Sequence, residues 1–311
     1  MTQPRELSLP AAVRSWLDDY LPAGLSAITP VAHRSQHRLF RLEVAGGSLF
    51  LKLHRNESAY RSELHVYRHW RWRSGLFADV VAHPRTDEWR GLLLTELPGT
   101  NAEQAALSGF ERQQVWREAG AAAARFQAQA EGEWFGCADE VGRPLGASWV
   151  DPVEYARYRL QEVAAVVRSP GLLLPHERAA CDWAETHCEV FARERPRPVL
   201  QDDAPGNWLV QGGHLTGKVD FEEARWGLRV EGFSQLWARY GIAEVDGLAA
   251  FLAGFGETFP EDQWRHAIIR TAIANLARGV ELNSARHTRR GRRLLAQLSR
   301  WESVPRSHPA G

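Results

Sequence analysis

The sequence predicts an α+β chain of two unequal lobes, a small sheet lobe at the N-terminal end and a larger, mainly helical lobe after it. Three observations predict it. Up to about residue 97, apolar residues alternate in two hairpin-like pairs, the period of two that marks half-buried strands. Beyond Pro98 the apolar residues recur at helical spacing in long runs. Between the two textures, "LLLTELPGT" ends an apolar strand on a Pro-Gly break. The expected division is therefore 1–97 for the first lobe and 98–311 for the second.

Each element follows in turn. "RELSLPAAVRSWLDDYL" carries apolar residues on one helical face and reads as an opening helix. "RLFRLEVAGGSLFLKLHR" alternates on either side of Gly46-Gly47, which predicts a hairpin with strands at Arg38 to Val44 and Ser48 to Leu53. "SAYRSELHVYRHWRWRSG" predicts a helix ending near Gly75, and "VVAHPRTDEWRGLLLTEL" a second hairpin ending at Glu96. Helices follow over "GFERQQVWREAGAAAARFQAQ", "DPVEYARYRLQEVAAVVR", "HERAACDWAETHCEVFARE" and most of the chain after Val230. Short strands interrupt them at Pro198 to Gln201, Asn207 to Gln211 and Leu215 to Asp220. The final "VPRSHPAG" reads as a frayed tail.

Composition narrows the function. The 311 residues are 44% hydrophobic and 24% charged with a formal net charge of zero, so no global field draws the chain to nucleic acid or an anionic membrane. The basic run Arg286 to Arg293 is read as the solvated face of a late helix. Three cysteines, Cys137, Cys181 and Cys188, show no CxxC spacing, which fits a reducing compartment better than a disulfide framework or a zinc site. No apolar run approaches the ~20 residues of a membrane span, and no secretory leader is visible. The expectation is a cytoplasmic protein, monomer or homodimer. Of 38 basic residues only Lys52 and Lys218 are lysines. In an arginine-rich background a lysine is kept where arginine fails, which singles out Lys52; Lys218 is read as a solvated strand residue.

Chemistry concentrates in "VLQDDAPGNWLV", a polar knot between two apolar strands. Asp202 and Asn207 stand five apart, and Asp220 ends a strand thirteen residues later. Hairpin geometry would bring the three together. Their hard oxygens suit Mg²⁺, and a carboxylate beside such an ion can take a proton from a hydroxyl. Asp202 and Asn207 are also ordinary turn formers, and Asp203 reads as one.

"QDDAPGN" followed by "VDFEEARWG" resembles the catalytic and metal-binding segments of the aminoglycoside phosphotransferase and choline kinase family, whose fold is protein-kinase-like. The resemblance spans most of the chain, since the element order also fits. It implies ATP (or GTP) and Mg²⁺ between the lobes and phosphoryl transfer to a hydroxyl. By the same resemblance Asp202 matches the catalytic base, and Asn207 and Asp220 match the metal ligands. Lys52 matches the lysine that holds the α- and β-phosphates, and Glu63 its acidic partner. The backbone of Glu96 and Leu97 would meet the purine edge, with Leu92 and Leu94 walling the base. Phosphoryl transfer depends mostly on positioning and charge neutralisation, which these roles supply.

Two departures stand out. The histidine and glycine that usually precede the base are Leu200 and Gln201. The turn expected over the phosphates, "TPVAHRSQHRLF", contains no glycine, which leaves Ser35, Gln36 or His37 for contact. On the acceptor side the chain offers Glu222, Glu223 and Glu231, then Arg239 and Tyr240, with Trp226 as a platform. Clustered carboxylates suit a polycationic antibiotic or an amino alcohol. A peptide Ser or Thr, or nucleotide binding with little catalysis, are the competing readings.

Overall fold

The computed structural model describes residues 8–21, 24–33, 37–70, 75–168, 172–241 and 245–298. Helix α1 (Ala11–Tyr20) precedes β1 (Leu25–His33), β2 (His37–Val44) and β3 (Gly47–His54). The β2–β3 hairpin closes on Ala45-Gly46, where Gly46 takes φ +94°, a conformation that a side chain rarely adopts. Helix α2 (Glu57–His65) continues into a single π turn, Val66–Trp70, and β4 (Val80–Ala82) and β5 (Arg90–Thr95) complete an antiparallel sheet of order β1-β2-β3-β5-β4.

Period two decides what each face of this sheet meets. Phe40, Leu42, Leu51, Leu53 and Leu93 turn one way and pack with Val13 and Leu17 of α1. Each such fully buried side chain contributes roughly 1.5–3 kcal/mol. Lys52 and Leu92, paired across β3 and β5, turn the other way, towards α2. Asn56 caps α2 by accepting from the Ala59 amide at 3.2 Å, which sets the rotation that puts Glu63 on the sheet side. Leu92 and Leu94 pack in a second apolar cluster with Tyr60, Leu64, Phe221 and Leu200.

The second part starts at β6 (Thr100–Asn101) and the long α3 (Gly109–Ala128), opened by a Ser108–Glu111 capping box. Then come β7 (Phe135–Ala138), β8 (Pro144–Trp149), α4 (Pro152–Val167), α5 (Pro175–Thr186), β9 (Arg197–Leu200), β10 (Trp208–Gln211), β11 (His214–Lys218) and β12 (Ala224–Gly227). Helices α6 (Ser234–Tyr240), α7 (Val245–Phe255), α8 (Glu261–Glu281) and α9 (Ala285–Leu298) close the chain. Two small sheets, β11-β10-β6 and β8-β7-β12-β9, sit on this helical core. Helices α3 and α7 meet backbone to backbone: a Cβ on Gly120 would lie 1.9 Å from the Phe251 carbonyl oxygen, and one on Gly254 1.9 Å from that of Arg117.

The architecture is the predicted one, a five-stranded antiparallel sheet followed by a mainly helical part. Its details correct the sequence reading in several places. All of "TPVAH" belongs to β1 rather than to a turn, and Ser35 and Gln36 lie outside the described residues. Strands β6, β7, β8 and β12 were not expected from the sequence. Asn207 ends a 3₁₀ turn, Pro205–Asn207, instead of starting a strand. Asp220 lies two residues past β11. The tail from 299 onward is outside the described residues. Among the described residues no helix is long and apolar enough to cross a membrane.

Candidate active site

Strand β3 and helix α2 build one wall. The Lys52 Nζ lies 2.8 Å from Glu63 Oε2, 2.5 Å from Asp220 Oδ1 and 3.9 Å from Glu222 Oε2. Lysine and glutamate are both buried, Glu63 completely. Burial alone would lower the lysine pKa, but Glu63, Asp220 and Glu222 outweigh it and raise it. Burial would raise Glu63 likewise, yet Lys52 and His54 hold it below the ordinary carboxylate range. His54, also buried, places Nε2 3.0 Å from Glu63 Oε2, and His37 Nδ1 lies 3.5 Å from Glu222 Oε2. Glu63 Oε1 accepts from the Phe221 amide at 3.3 Å, tying α2 to the residue after Asp220.

The loop between β9 and β10 builds the other wall. The Asn207 amide nitrogen donates to the Asp202 carbonyl at 2.8 Å, and the Val219 amide donates to the Asn207 carbonyl at 3.0 Å. One residue thus clasps the loop of Asp202 to the strand leading to Asp220. Asn101 donates to the Gly206 carbonyl at 2.5 Å, anchoring the same loop from β6. Asp220 adopts φ +70°, a left-handed conformation that costs a non-glycine residue about 1–2 kcal/mol. Phe221 beside it is buried against Tyr67 and Phe77, with ring centroids at 5.3 and 4.9 Å. That anchor holds the strained backbone in place.

Asp202 carries the most informative charge. Burial, then the carboxylates of Glu223 and Asp220, push its pKa up to about 6, against the opposing pull of Arg239 and Asn207. Arg239 reaches it from α6, Nη2 to Oδ1 at 3.4 Å, and is held by Glu103 at 3.2 Å. A carboxyl poised there is basic enough to take a proton and ionised at neutral pH.

The remaining predicted residues fall in different places. Glu96 pairs its side chain with Arg41 at 3.0 Å at the end of β5, and Leu97 is half-buried against the second apolar cluster. Leu92 is wholly buried by α2. Glu222 turns towards Lys52, His37 and His54. Glu223 is half-buried and faces Asp202 closely enough to raise it. Two expectations do not hold. Glu231 is 1% exposed and engaged by the Tyr155 hydroxyl at 2.9 Å and by Arg159 and Arg270 at 3.8 and 3.6 Å, so it ties helices together and is not offered to a substrate. Trp226 packs edge-on to Trp70 at 4.8 Å and against Gly132, so its ring serves the core.

Lys218 is not a solvated strand residue either. It is buried, 2.6 Å from Asp203 Oδ2, while Asp203 Oδ1 accepts from the Trp208 indole at 2.6 Å. The loop lacks the histidine expected before the base; Leu200 fills that place with apolar packing, and Arg159 donates to Gln201 Oε1 at 3.3 Å. Sequence reasoning did not assign roles to His54 or Glu103, and it offered His37 only as a phosphate contact, not as the partner of Glu222. Their signal was faint: His37 and His54 pair across β2 and β3, a relation visible only once the register is known.

The arrangement suits a cation and phosphate. Glu63, Asp220 and Glu222 converge on Lys52, and Glu223 and Asp220 also face Asp202. Burial first, and then the repulsion of Glu223 and Asp220, raise the Asp202 carboxyl. Asp220 meets Lys52 through Oδ1, and the Asn207 side chain uses its nitrogen on the loop, which leaves its oxygen as a donor atom. Hard oxygens with surplus negative charge fit Mg²⁺.

Comparison with known proteins follows the same lines. A family profile described as "Phosphotransferase enzyme family" matches residues 27–267. A search of curated proteins found no match. Among solved structures, the chain is similar to a thermostable mutant of aminoglycoside phosphotransferase APH(4)-Ia in ternary complex with ADP and hygromycin B, at TM-score 0.68 and 15% identity, covering 92% of this chain and 98% of that one. It is similar to ADP-bound aminoglycoside phosphotransferase APH(2'')-Ib at TM-score 0.62 and 14% identity, over 95% and 98%. It is similar to APH(2")-IIa in complex with gentamicin at TM-score 0.64 and 15% identity, over 94% and 97%. At these identities the likeness establishes the fold, which is protein-kinase-like.

Proposed function

The chain belongs to the phosphotransferase enzyme family, and from that premise we propose that it moves the γ-phosphate of ATP to a hydroxyl of a small molecule. The observation that carries this reading is the meeting of Asp202, Asn207 and Asp220 on adjoining turns, with the Lys52 ammonium 2.5 Å from Asp220. The ADP, hygromycin B and gentamicin bound by similar structures support a nucleotide donor and a small-molecule acceptor. The lobes meet at Leu97-Pro98 in this reading, and the backbone of Glu96 and Leu97 binds the base.

Each residue then has one task. Lys52, fixed by Glu63 and His54, presents a point charge to the α- and β-phosphates. Asp202 accepts the acceptor's hydroxyl proton at its carboxylate as the oxygen bonds to phosphorus and the nucleoside diphosphate leaves. Arg239 orients that carboxylate. Asp220 and Asn207 would hold Mg²⁺, which would supply charge neutralisation at the transferring phosphate.

The test is ADP release with Mg·ATP across a panel of hydroxyl compounds, alongside calorimetry of ATP and GTP. Compound-dependent release is expected, and Asp202→Asn should lose about 10²–10⁴-fold in turnover while still binding nucleotide. Nucleotide binding with no release for any compound, or full activity of Asp202→Asn, overturns the reading.

A further inference from the structure

The acceptor side of this site is not the acid-lined cavity that its sequence suggested. Glu231 is buried among Tyr155, Arg159 and Arg270, and Glu222 faces Lys52 and His37. That leaves Glu223 and Glu103. Glu103 Oε1 already accepts from Arg239 at 3.2 Å and from the Tyr240 hydroxyl at 3.0 Å. What stands beside the Asp202 carboxylate instead is the Arg239 guanidinium, a quarter exposed. Its bonds to Asp202 and Glu103, 3.4 and 3.2 Å, are both longer than the ~2.7–2.9 Å of a strong charge-assisted pair. A guanidinium has five donors in a planar fork, so further N–H groups remain for a ligand. Any hydroxyl that reaches Asp202 brings its substituents against this group.

A second guanidinium reinforces the first. Arg290, half-buried on α9, has its pKa lowered by burial and then by Arg286, Arg239 and Arg293. Arg293 is spent on the Ala238 and Arg239 carbonyls at 3.1 and 3.0 Å, which stitches α9 to the end of α6. The basic face of α9 thus backs the acceptor side of the cleft.

Resting on the phosphotransferase reading, we propose that the acceptor carries an oxyanion group close to its reacting hydroxyl, and that Arg239 is the residue that selects it. The fork geometry matches a carboxylate or a phosphate ester equally. A polycation would meet like charge at the point where its hydroxyl must approach Asp202.

Two measurements decide this. The first is ADP release with matched pairs, glycerate against glycerol, serine against ethanolamine, and hygromycin B as the polycation. Faster release with the anionic members is the expected result, with Arg239→Gln raising KM for those members beyond any fall in kcat shared by the whole panel, and Arg239→Lys partly restoring it. Equal or faster release with the neutral or cationic members overturns the proposal. The second is calorimetric titration of inorganic sulfate into protein loaded with Mg·AMP-PNP. Affinity should fall about tenfold in Arg239→Gln, and less in Arg290→Gln. If no compound in the panel is turned over, this titration decides: absent sulfate binding, or binding untouched by Arg239→Gln, overturns the proposal. Should AMP-PNP itself fail to bind, the phosphotransferase reading falls. The sulfate difference between wild type and Arg239→Gln in nucleotide-free protein then still tests the oxyanion site.

Discussion

The two lysines of this chain make opposite uses of burial. Lys218 is 4% exposed at its side chain and pairs with Asp203, 3% exposed, at 2.6 Å. Asp203 also takes the Trp208 indole, and Lys218 also donates to the Ala119 carbonyl at 3.3 Å. One positive charge meets one negative charge, and their bonds are closed inside the helical core. Lys52, 8% exposed, meets Glu63, Asp220 and Glu222 together. One cation against three carboxylates leaves a surplus, and Asp220 and Glu222 remain partly open to the cleft. A balanced, closed pair holds a loop in register. An unbalanced, open one waits for positive charge from outside. The difference explains why residues of the same type, each at a strand, have separate roles.

The comparison can be broken in four ways, from the largest expected effect to the smallest. Lys218→Met leaves Asp203 buried without its cation and should cost about 3–5 kcal/mol of stability. Chemical denaturation would show it, and the Lys218→Met, Asp203→Leu double variant should recover much of the loss. Lys52→Met should act mainly on the reaction, with a fall of about 10²–10³ in kcat, the cost of removing one positioned charge donor. A melting temperature that drops as far as in Lys218→Met would erase the distinction between the two sites.

The third test uses Asp202. Its folded pKa of about 6 lies above the ~3.9 of an unfolded chain. The protonated form is therefore the favoured one, and the group's contribution to stability is present at low pH and lost as pH rises through about 6. Asp202→Asn should stabilise the nucleotide-free protein above that pH by up to about 3 kcal/mol, with the gain shrinking towards pH 4. Thermal melts of both proteins between pH 5 and pH 8 read the difference. The same titration makes kcat/KM fall as pH drops below about 6, because a protonated Asp202 cannot accept the hydroxyl proton. Fourth, Mg²⁺ at about ten times its Kd should stabilise the wild type by about 1.4 kcal/mol and leave Asp220→Asn unmoved. No Mg²⁺-dependent shift in the wild type would remove the reason for the charge surplus at Lys52.

Much of the fold and part of the site were legible beforehand. The hairpin of β2 and β3 was readable because its alternation is local and its turn needs glycine at Gly46. The spacing of Asp202, Asn207 and Asp220 was readable because short strands put fixed distances between their ends. Helix α3 was readable because its helical pattern runs over twenty residues. The strands β6 and β12 were not legible, since they are two and four residues long and their partners lie far along the chain, while β7 and β8 carry glycines inside short runs.

The sequence by itself determined the two-part architecture, the polar loop between strands and the lone lysine on β3, because each depends on neighbours within a few turns of chain. Only the tertiary structure decided which charges face the cleft. Glu222, Glu223 and Glu231 read alike as acids after Asp220, yet one turns to Lys52, one faces Asp202 and one is buried among arginines. Lys218 and Lys52 read alike as strand lysines, yet one is sealed with Asp203 and the other is shared among Glu63, Asp220 and Glu222. The physical reason is that a charge's role is set by its surroundings, namely burial, counter-charges and open solvent. Those surroundings come from segments such as α4, α6 and α8, which no local pattern places beside the loop.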